Sequence, residues 1–261
     1  MNRENLEFLY KMFPCHNIEN LDIIIVNQTD KAHILTSNIS TVKVVNSFEK
    51  GLSKSRNLAL SIAQANWCLI ADDDLVYVEG FEQVIAEGIE KYTQSGVIVF
   101  KSLVQKSMPR RLFPKTSKQQ LTVFEKFDVT SFEMLLNRTT KKNLLFNENF
   151  GLGSNEFLFG EEVLLLHDYI KHQMKVSYYN KAIVYHPIEN TGTLYNHDLR
   201  YYTKGGILKY IYPKTTKLWL LIQLFFDVKQ KKIQFSSIYK SYYDGIRGAK
   251  KLNEILKNAT H

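Results

Sequence analysis

The sequence predicts an α/β fold: a Rossmann-like, mixed and mainly parallel sheet with helices on both faces, followed by a basic helical tail. Three observations lead there. Apolar runs of strand length alternate with segments of helical periodicity over the first hundred residues. Each run is apolar throughout rather than alternating, the pattern of strands covered on both faces. The whole net charge of +8 lies near one end: residues 205–261 hold 11 Lys/Arg against 3 Asp/Glu, leaving 23 of each sign in residues 1–204. The expected organisation is therefore a domain over 1–204 and a basic amphipathic helical tail over 205–261.

The elements follow in order. Residues 5–13 read as a short amphipathic helix with Leu6, Leu9, Tyr10 and Phe13 on one side. Residues 21–26 form a β-branched strand closed by Asn27-Gln28-Thr29-Asp30, and residues 42–45 a second strand. A helix is expected over 52–65, with Ser53 as its cap. A third strand, 67–71, runs straight into Asp72-Asp73-Asp74; a helix over 80–93 and a strand over 96–100 come next. Beyond Lys101 the pattern loosens. Residues 108–111 and 115–120 look like a long basic loop, and 124–136 alternate weakly. A helix over 160–172 and strands over 175–179 and 182–185 complete the domain.

With 44% hydrophobic and 23% charged residues, the chain has the composition of a globular protein with a real core. Its two cysteines, Cys15 and Cys68, form no CxxC pair, which excludes a zinc ribbon or a dithiol redox motif and fits a reducing cytoplasm. The start, Met1-Asn2-Arg3-Glu4-Asn5, leads into no apolar signal segment. No GxGxxG, Walker or nucleic-acid motif occurs, so no nucleic-acid partner is expected.

The aspartate run carries the chemistry. In open α/β sheets, ligands bind beyond the carboxyl ends of the strands, where this run falls. Three adjacent carboxylates raise one another's pKa, and a divalent cation removes that penalty. Oxygen ligands of this kind suit Mg²⁺ or Mn²⁺, which also take phosphate oxygens. A solvated acidic turn is the plainer alternative.

Context favours the metal. The helix Gly51-Leu52-Ser53-Lys54-Ser55-Arg56-Asn57-Leu58-Ala59-Leu60, then Trp67-Cys68-Leu69-Ile70-Ala71-Asp72-Asp73-Asp74, resembles the family-two glycosyltransferases of the GT-A fold. There a G-L-S-x-x-R-N-x-A helix precedes a strand ending in a DxD motif. The stretch from Phe146 to Gly153, then Gly160-Glu161-Glu162 and Tyr185-His186-Pro187, is similar to that family's later segments. The resemblance implies metal ligation by Asp74 and Asp72 with His186 as a further ligand, and nucleotide contacts from Asn27, Gln28, Arg56, Asn57, Asp72 and Asp73. It implies an inverting general base at Glu161 or Glu162, where the family usually has Gly-Glu-Asp. A nucleotide-sugar donor, UDP-linked, and a glycan or lipid-linked acceptor of surface polysaccharide synthesis are the expected substrates. Asn190-Thr191-Gly192-Thr193 is a candidate phosphate-closing stretch.

Two features stand apart. Family sheets begin with a strand ending in a Pro-x-x-Asn-Arg type segment, and Met1 to Leu6 looks like the end of that segment with its strand absent; truncation is the expectation. In the tail, residues 218–226 form an apolar run with one interruption, too short to span a bilayer and flanked by Lys209, Lys214, Lys217, Lys229, Lys231 and Lys232. Residues 209–232 fit either a helix in a membrane interface or a helix packed on the domain or on a second subunit. The expected location is the cytoplasm, peripheral at the inner face of the cell membrane. A sugar nucleotidyltransferase and an inactive binding protein are the competing readings; the former lacks its Gly-rich phosphate loop here.

Overall fold

The structure, a computed structural model, describes residues 3–105, 108–140, 142, 144–186 and 197–258. Strands β1 (Ile23–Gln28) and β2 (Val42–Ser47) pair in parallel, from Ile23 opposite Val42 to Gln28 opposite Ser47. A second sheet holds β3 (Trp67–Leu69), β4 (Val76–Tyr77), β5 (Ser95–Gln105), β6 (Met108–Pro109), β7 (Met134–Asn137) and β8 (Lys175–Tyr185), in the order β3-β7-β5-β8-β4 with β6 beside β5. The two longest ladders, β1/β2 and β5/β8, are parallel; the shorter ones are antiparallel. The sheet is mixed, and its parallel part is the buried centre.

Strand β5 shows why. Val97, Ile98, Val99 and Phe100 are all fully buried, and successive side chains point to opposite faces. Ile98 and Phe100 join one cluster with Leu9, Met12 and Phe81, supplied by helices α1 (Glu7–Met12) and α3 (Phe81–Lys91). Val97 and Val99 join another with Leu60, Leu165, Leu166 and Tyr169, from α2 (Leu52–Ile62) and α4 (Glu161–Lys171). Helices thus cover both faces.

Several sequence expectations need correction. Tyr10 is 62% exposed, because α1 buries Phe8, Leu9 and Met12 instead. Ser53 is not the cap of α2; Gly51 precedes the helix with φ +135°, and the Ser53 hydroxyl donates to the Phe150 carbonyl at 2.6 Å. The strands expected over 175–179 and 182–185 are one strand, β8, whose irregularities against β5 absorb the break in the apolar pattern. Residues 124–136 contain two short 3₁₀ turns and then β7, which lies between β3 and β5. Met134-Leu135-Leu136-Asn137 has no β-branched residue, so propensity does not mark it as a strand.

The C-terminal part consists of α5 (His197–Ile211), α6 (Thr216–Lys229) and α7 (Ile238–Asn258). Helix α5 crosses the 204/205 boundary drawn from charge. It approaches α7 at backbone distance: a Cβ on Gly205 would lie 1.8 Å from the Gly245 carbonyl oxygen, and one on Gly248 1.9 Å from that of Tyr202. Ile207, Ile211 and Leu252 share a cluster with Phe150, Phe157 and Leu164, so this end is packed onto the domain. Helix α6 buries Leu220 and Leu224 and leaves Leu218, Leu221, Phe225 and Phe226 exposed. No helix among the described residues is long and apolar enough to cross a membrane.

Candidate active site

A cleft of about 1170 Å³ runs along the carboxyl ends of β1 and β3, and Asn27, Gln28, Arg56, Asp72, Asp73, Asp74, Glu161, Glu162 and His186 all border it. These nine reach it from five separate segments, which makes the cleft the meeting point of the motifs.

Arg56 organises its inner wall. The side chain is buried on α2, and its guanidinium donates to Glu161 Oε1 at 2.9 Å, Asp72 Oδ1 at 3.2 Å and Ser131 Oγ at 2.6 Å. Glu162 Oε1 lies 3.7 Å away. Burial works against the charge on Arg56, but Asp72, Glu162 and Glu161 together outweigh it and raise its pKa. A planar fork with several donors suits such shared use. Arg56 therefore orients acids rather than standing free for phosphate.

The two glutamates differ in exposure. Glu161, 3% exposed, has burial pushing its carboxyl up to about 8, with the Glu162 charge adding and Arg56 opposing. Its Oε2 is buried without a hydrogen-bond partner. The Glu162 side chain is 19% exposed and faces the cleft. Gly160, at φ +101°, turns the chain into α4 and sets both acids in the first helical turn. A Cβ there would strike Ile207 of α5 at 2.3 Å, so the tail's packing constrains the position of these acids.

The aspartates divide their work. Asp72 faces Arg56. Asp73 accepts from Arg3 Nε at 2.6 Å, and Arg3 also donates to the Asp73 carbonyl. Burial is the largest influence on Asp73 and raises its pKa, but the Arg3 hydrogen bond and the nearby positive charge together outweigh it, and the net shift is downward. Asp74, with a side chain 56% exposed, has its Oδ1 3.8 Å from His186 Nε2. His186 is buried and stacked on Phe132 at 4.8 Å, which fixes the ring.

Asn27 and Gln28 close the other side. Asn27 is buried and holds Arg3 by both main-chain groups, at 3.1 and 3.2 Å, while also bonding Asn46. Gln28 bonds the Gly51 amide and Ser55 Oγ. Asn57 is not brought to the cleft. Its carboxamide exchanges two hydrogen bonds with the Phe146 main chain and donates to Glu148, pinning the 146–148 segment behind Arg56. Residues 190–193 lie outside the described residues.

Two cations at the cleft escaped the sequence reading. Arg3 lies in the stretch that resembles the end of the family's Pro-x-x-Asn-Arg segment, but the sequence assigns it no role of its own. Arg110, read as part of a basic loop, stands over the Phe132 ring at 5.1 Å and borders the cleft. Burial lowers its pKa, against the opposing pull of Glu133. Arg110 directly follows the two-residue strand β6, whose Met108-Pro109 has no apolar pattern to announce it.

A divalent cation fits in part. Among the described residues no three of His, Cys, Asp and Glu form a ready ligand group. Asp74 and His186 are close enough to share an ion, whereas Asp72 is engaged by Arg56. Two protein ligands suffice for Mg²⁺ or Mn²⁺ when phosphate oxygens and water complete the shell.

The sequence model described as glycosyl transferase family 2 matches residues 4–159. No curated protein matches the sequence. Among solved structures, residues 1–349 of S. aureus TarS in complex with UDP-GlcNAc align with a TM-score of 0.54 at 18% identity, covering 79% of this chain and 61% of that one. The same TarS segment alone gives a TM-score of 0.54 at 13% identity, covering 98% and 87%. The chain thus spans about three fifths of the UDP-GlcNAc-bound structure it matches. These likenesses establish the GT-A type of fold.

Proposed function

Because the chain belongs to glycosyl transferase family 2, we propose that it moves a sugar from a nucleotide donor, UDP-linked, to a glycan or lipid-linked acceptor of a surface polysaccharide, with inversion at the anomeric carbon. The observation that carries this reading is the convergence of Arg56, Asp72, Asp74, Glu162 and His186 on one cleft. The complexes of TarS with UDP-GlcNAc and with UDP support the choice of uridine nucleotide.

The residues have distinct parts. Asn27 and Gln28, at the end of β1, and Asp72 and Asp73 beyond β3 border the nucleotide. Asp74 and His186 are the residues that would hold a divalent cation at the cleft. When bound, such an ion neutralises charge on the departing diphosphate. Glu162, reaching the cleft, takes the proton from the acceptor hydroxyl as it attacks. Glu161, buried beneath Arg56, holds the guanidinium that orients Asp72. Arg110, bordering the cleft, adds positive charge to offset the negative charge that the leaving diphosphate develops.

Calorimetry with UDP, with and without Mn²⁺, tests the donor site: metal-dependent binding is expected, and its loss in Asp74→Ala. NMR of the product from a UDP-sugar then reads the anomeric configuration; retention would overturn the inverting scheme. Release of pyrophosphate from a nucleoside triphosphate and a sugar phosphate would instead favour a nucleotidyltransferase.

The lipid-linked acceptor draws support from α6. Its exposed Leu218, Leu221 and Phe225 form one stripe, with exposed Lys214, Lys217, Lys229, Lys231 and Lys232 around it. This combination suits a helix lying on an anionic bilayer at the cytoplasmic face. Sedimentation with anionic but not neutral vesicles is the expected result.

A further inference from the structure

Helix α6 ends in a turn that carries a lysine where glycine is usual. The Lys232 amide donates to the Asp227 carbonyl at 2.8 Å and the Lys231 amide to that of Val228 at 2.9 Å. These paired bonds close a helix when the residue after its cap turns left-handed, a place most often held by glycine. Here Lys231 holds it, at φ +57°, a conformation that is harder for a residue with a side chain than for glycine. A strained position kept by a charged residue points to a use for that charge.

The turn opens onto a cavity of about 740 Å³ between the end of α6, the 3₁₀ turn Phe235–Ser237 and the start of α7. Lys231, Lys232 and Lys240 line it, together with Ser237 and Ser241. The one acid in the lining, Asp244, is 7% exposed and pairs with Arg247 at 3.2 Å. Asp227, beside the turn, is directed inward: it is buried and holds Lys204 at 2.7 Å and the Tyr201 hydroxyl at 2.8 Å. Positive charge is therefore in excess at the cavity. Burial lowers the pKa of the Lys204 amine, Asp227 opposes it, and the charges of Arg200 and Lys232 add to the lowering. Like charges gathered in this way are relieved by a bound counter-ion.

The rest of the lining is apolar and firm. Ile233 is buried with Tyr201 and Leu224 in a cluster that joins α5 and α6 to the first turns of α7. Phe235 lines the cavity yet is 80% exposed, and Tyr239 and Tyr243 follow it at helical spacing, both exposed. A phosphate monoester carries roughly two negative charges and three acceptor oxygens. It uses ammonium and hydroxyl donors more fully than a carboxylate does, and the aromatic rim suits the carbon atoms attached to it.

We infer that this cavity binds a phosphate monoester, the chemistry shared by a phosphatidate headgroup in a bilayer and by a small soluble organic phosphate. Lys231, Lys232 and Lys240 pair with the phosphate oxygens, Ser237 and Ser241 donate to those that the lysines leave, and Phe235 covers the attached carbons. None of the lining residues borders the cleft, so the site is independent of donor binding and of the transferase reading. It differs from diffuse attraction between lysines and a bilayer because it saturates and discriminates between anions of equal charge.

The test uses the whole chain. Calorimetry with glycerol 3-phosphate reads a soluble phosphate. Sedimentation with phosphatidylcholine vesicles doped with phosphatidic acid, against vesicles doped with oleate to the same surface charge, reads a headgroup. A saturable 1:1 complex in the first arm, or about 10-fold tighter binding to the phosphatidate vesicles in the second, is expected, and the arm that responds identifies the source. Lys232→Ala should weaken that binding about 10-fold, the weight of one charge-assisted hydrogen bond. Lys250→Ala, at an exposed position of α7 outside the cavity, should leave it nearly unchanged. Lys231→Gly should raise the unfolding midpoint by relaxing the turn while lowering phosphate affinity. Equal binding of phosphatidate and oleate vesicles with no glycerol phosphate complex would overturn the proposal. So would equal losses in Lys232→Ala and Lys250→Ala, or full affinity in Lys231→Gly. UDP binding is measured alongside: phosphate bound here without any UDP binding leaves this site standing and removes the transferase reading, and UDP bound without phosphate does the opposite.

Discussion

The cleft has two ends built on opposite terms. At the acidic end, nearly every functional side chain is held by another: Arg56 by three carboxylates and Ser131, Asp73 by Arg3, His186 by Phe132. At the apolar end, between β1 and β3, side chains line a space, and among the described residues each strand pairs with a neighbour along one edge. The chemistry is therefore pre-set by side-chain contacts, while the strands beneath it border a space. Preorganised charge is what makes such a site act on a transition state rather than merely bind. Its precision depends on how firmly α2, α4 and the strand ends are held, and only α2 and α4 are well packed here.

The largest expected effects come from the acidic end. Glu162→Gln keeps the shape and removes the base; kcat should fall by about 10²–10⁴-fold, the usual weight of general base catalysis, with UDP affinity unchanged. A comparable loss in Glu161→Gln and none in Glu162→Gln would exchange the two roles. Next comes Arg56→Ala. It leaves the buried Glu161 carboxyl without its donor, and a buried polar group left unpaired in this way costs about 1–3 kcal/mol. Urea unfolding measures it; a cost below about 1 kcal/mol would mean that water, not Arg56, holds these acids.

The same contrast explains what the sequence disclosed. The helix from Gly51 to Leu60, the aspartate run and Gly160-Glu161-Glu162 are local strings, and short-range order preserves them in the fold. The alternation of apolar runs and helices gave the α/β class for the same reason. What was hidden depends on distant partners. Asn57 is adjacent to Arg56, yet Phe146 claims its side chain from 89 residues away. Arg3 reaches Asp73 across 70 residues. β7 is a central strand because of the slot between β3 and β5 that it fills, and its own residues say little. Residues 205–211 belong to a helix packed on the domain through Ile207 and Gly206, although charge alone separated them from it.

Titration sharpens the comparison on a smaller scale. The Glu161 carboxyl sits at about 8 in the folded chain, against an ordinary value of 4.5. The native state therefore binds more protons than the unfolded state between those values, so this group's contribution is full below about pH 4.5 and is lost as pH rises through 8. The slope approaches 1.4 kcal/mol per pH unit at most. Glu161→Gln should flatten it, as thermal unfolding at several pH values would register. His167 acts in the opposite sense. Burial and Lys126, 3.0 Å away, pull it down to about 4, so stability falls as pH drops from about 6.5 through 4. His167→Gln should reduce only that acid-side loss.

The smallest effect tests how the acidic end is joined to the loop before α4. The Ser53 hydroxyl, buried on α2, donates to the Phe150 carbonyl, and a Cβ on the next residue, Gly151, would lie 3.0 Å from Ser53 Oγ and 3.2 Å from Glu161 Cδ. Gly151 has φ +106°, a conformation that favours glycine. Ser53→Ala removes one buried hydrogen bond and leaves the carbonyl without this donor, a loss of about 1–2 kcal/mol. If Ser53 serves only as a stabilising contact, kcat stays at the wild-type value while the unfolding midpoint drops. If the Ser53–Phe150 bond also sets the distance between Gly151 and Glu161, kcat falls by several-fold with KM for the donor unchanged. The second outcome is expected, because Glu161, Arg56 and Ser53 are packed in one buried cluster that has no slack to absorb a shift.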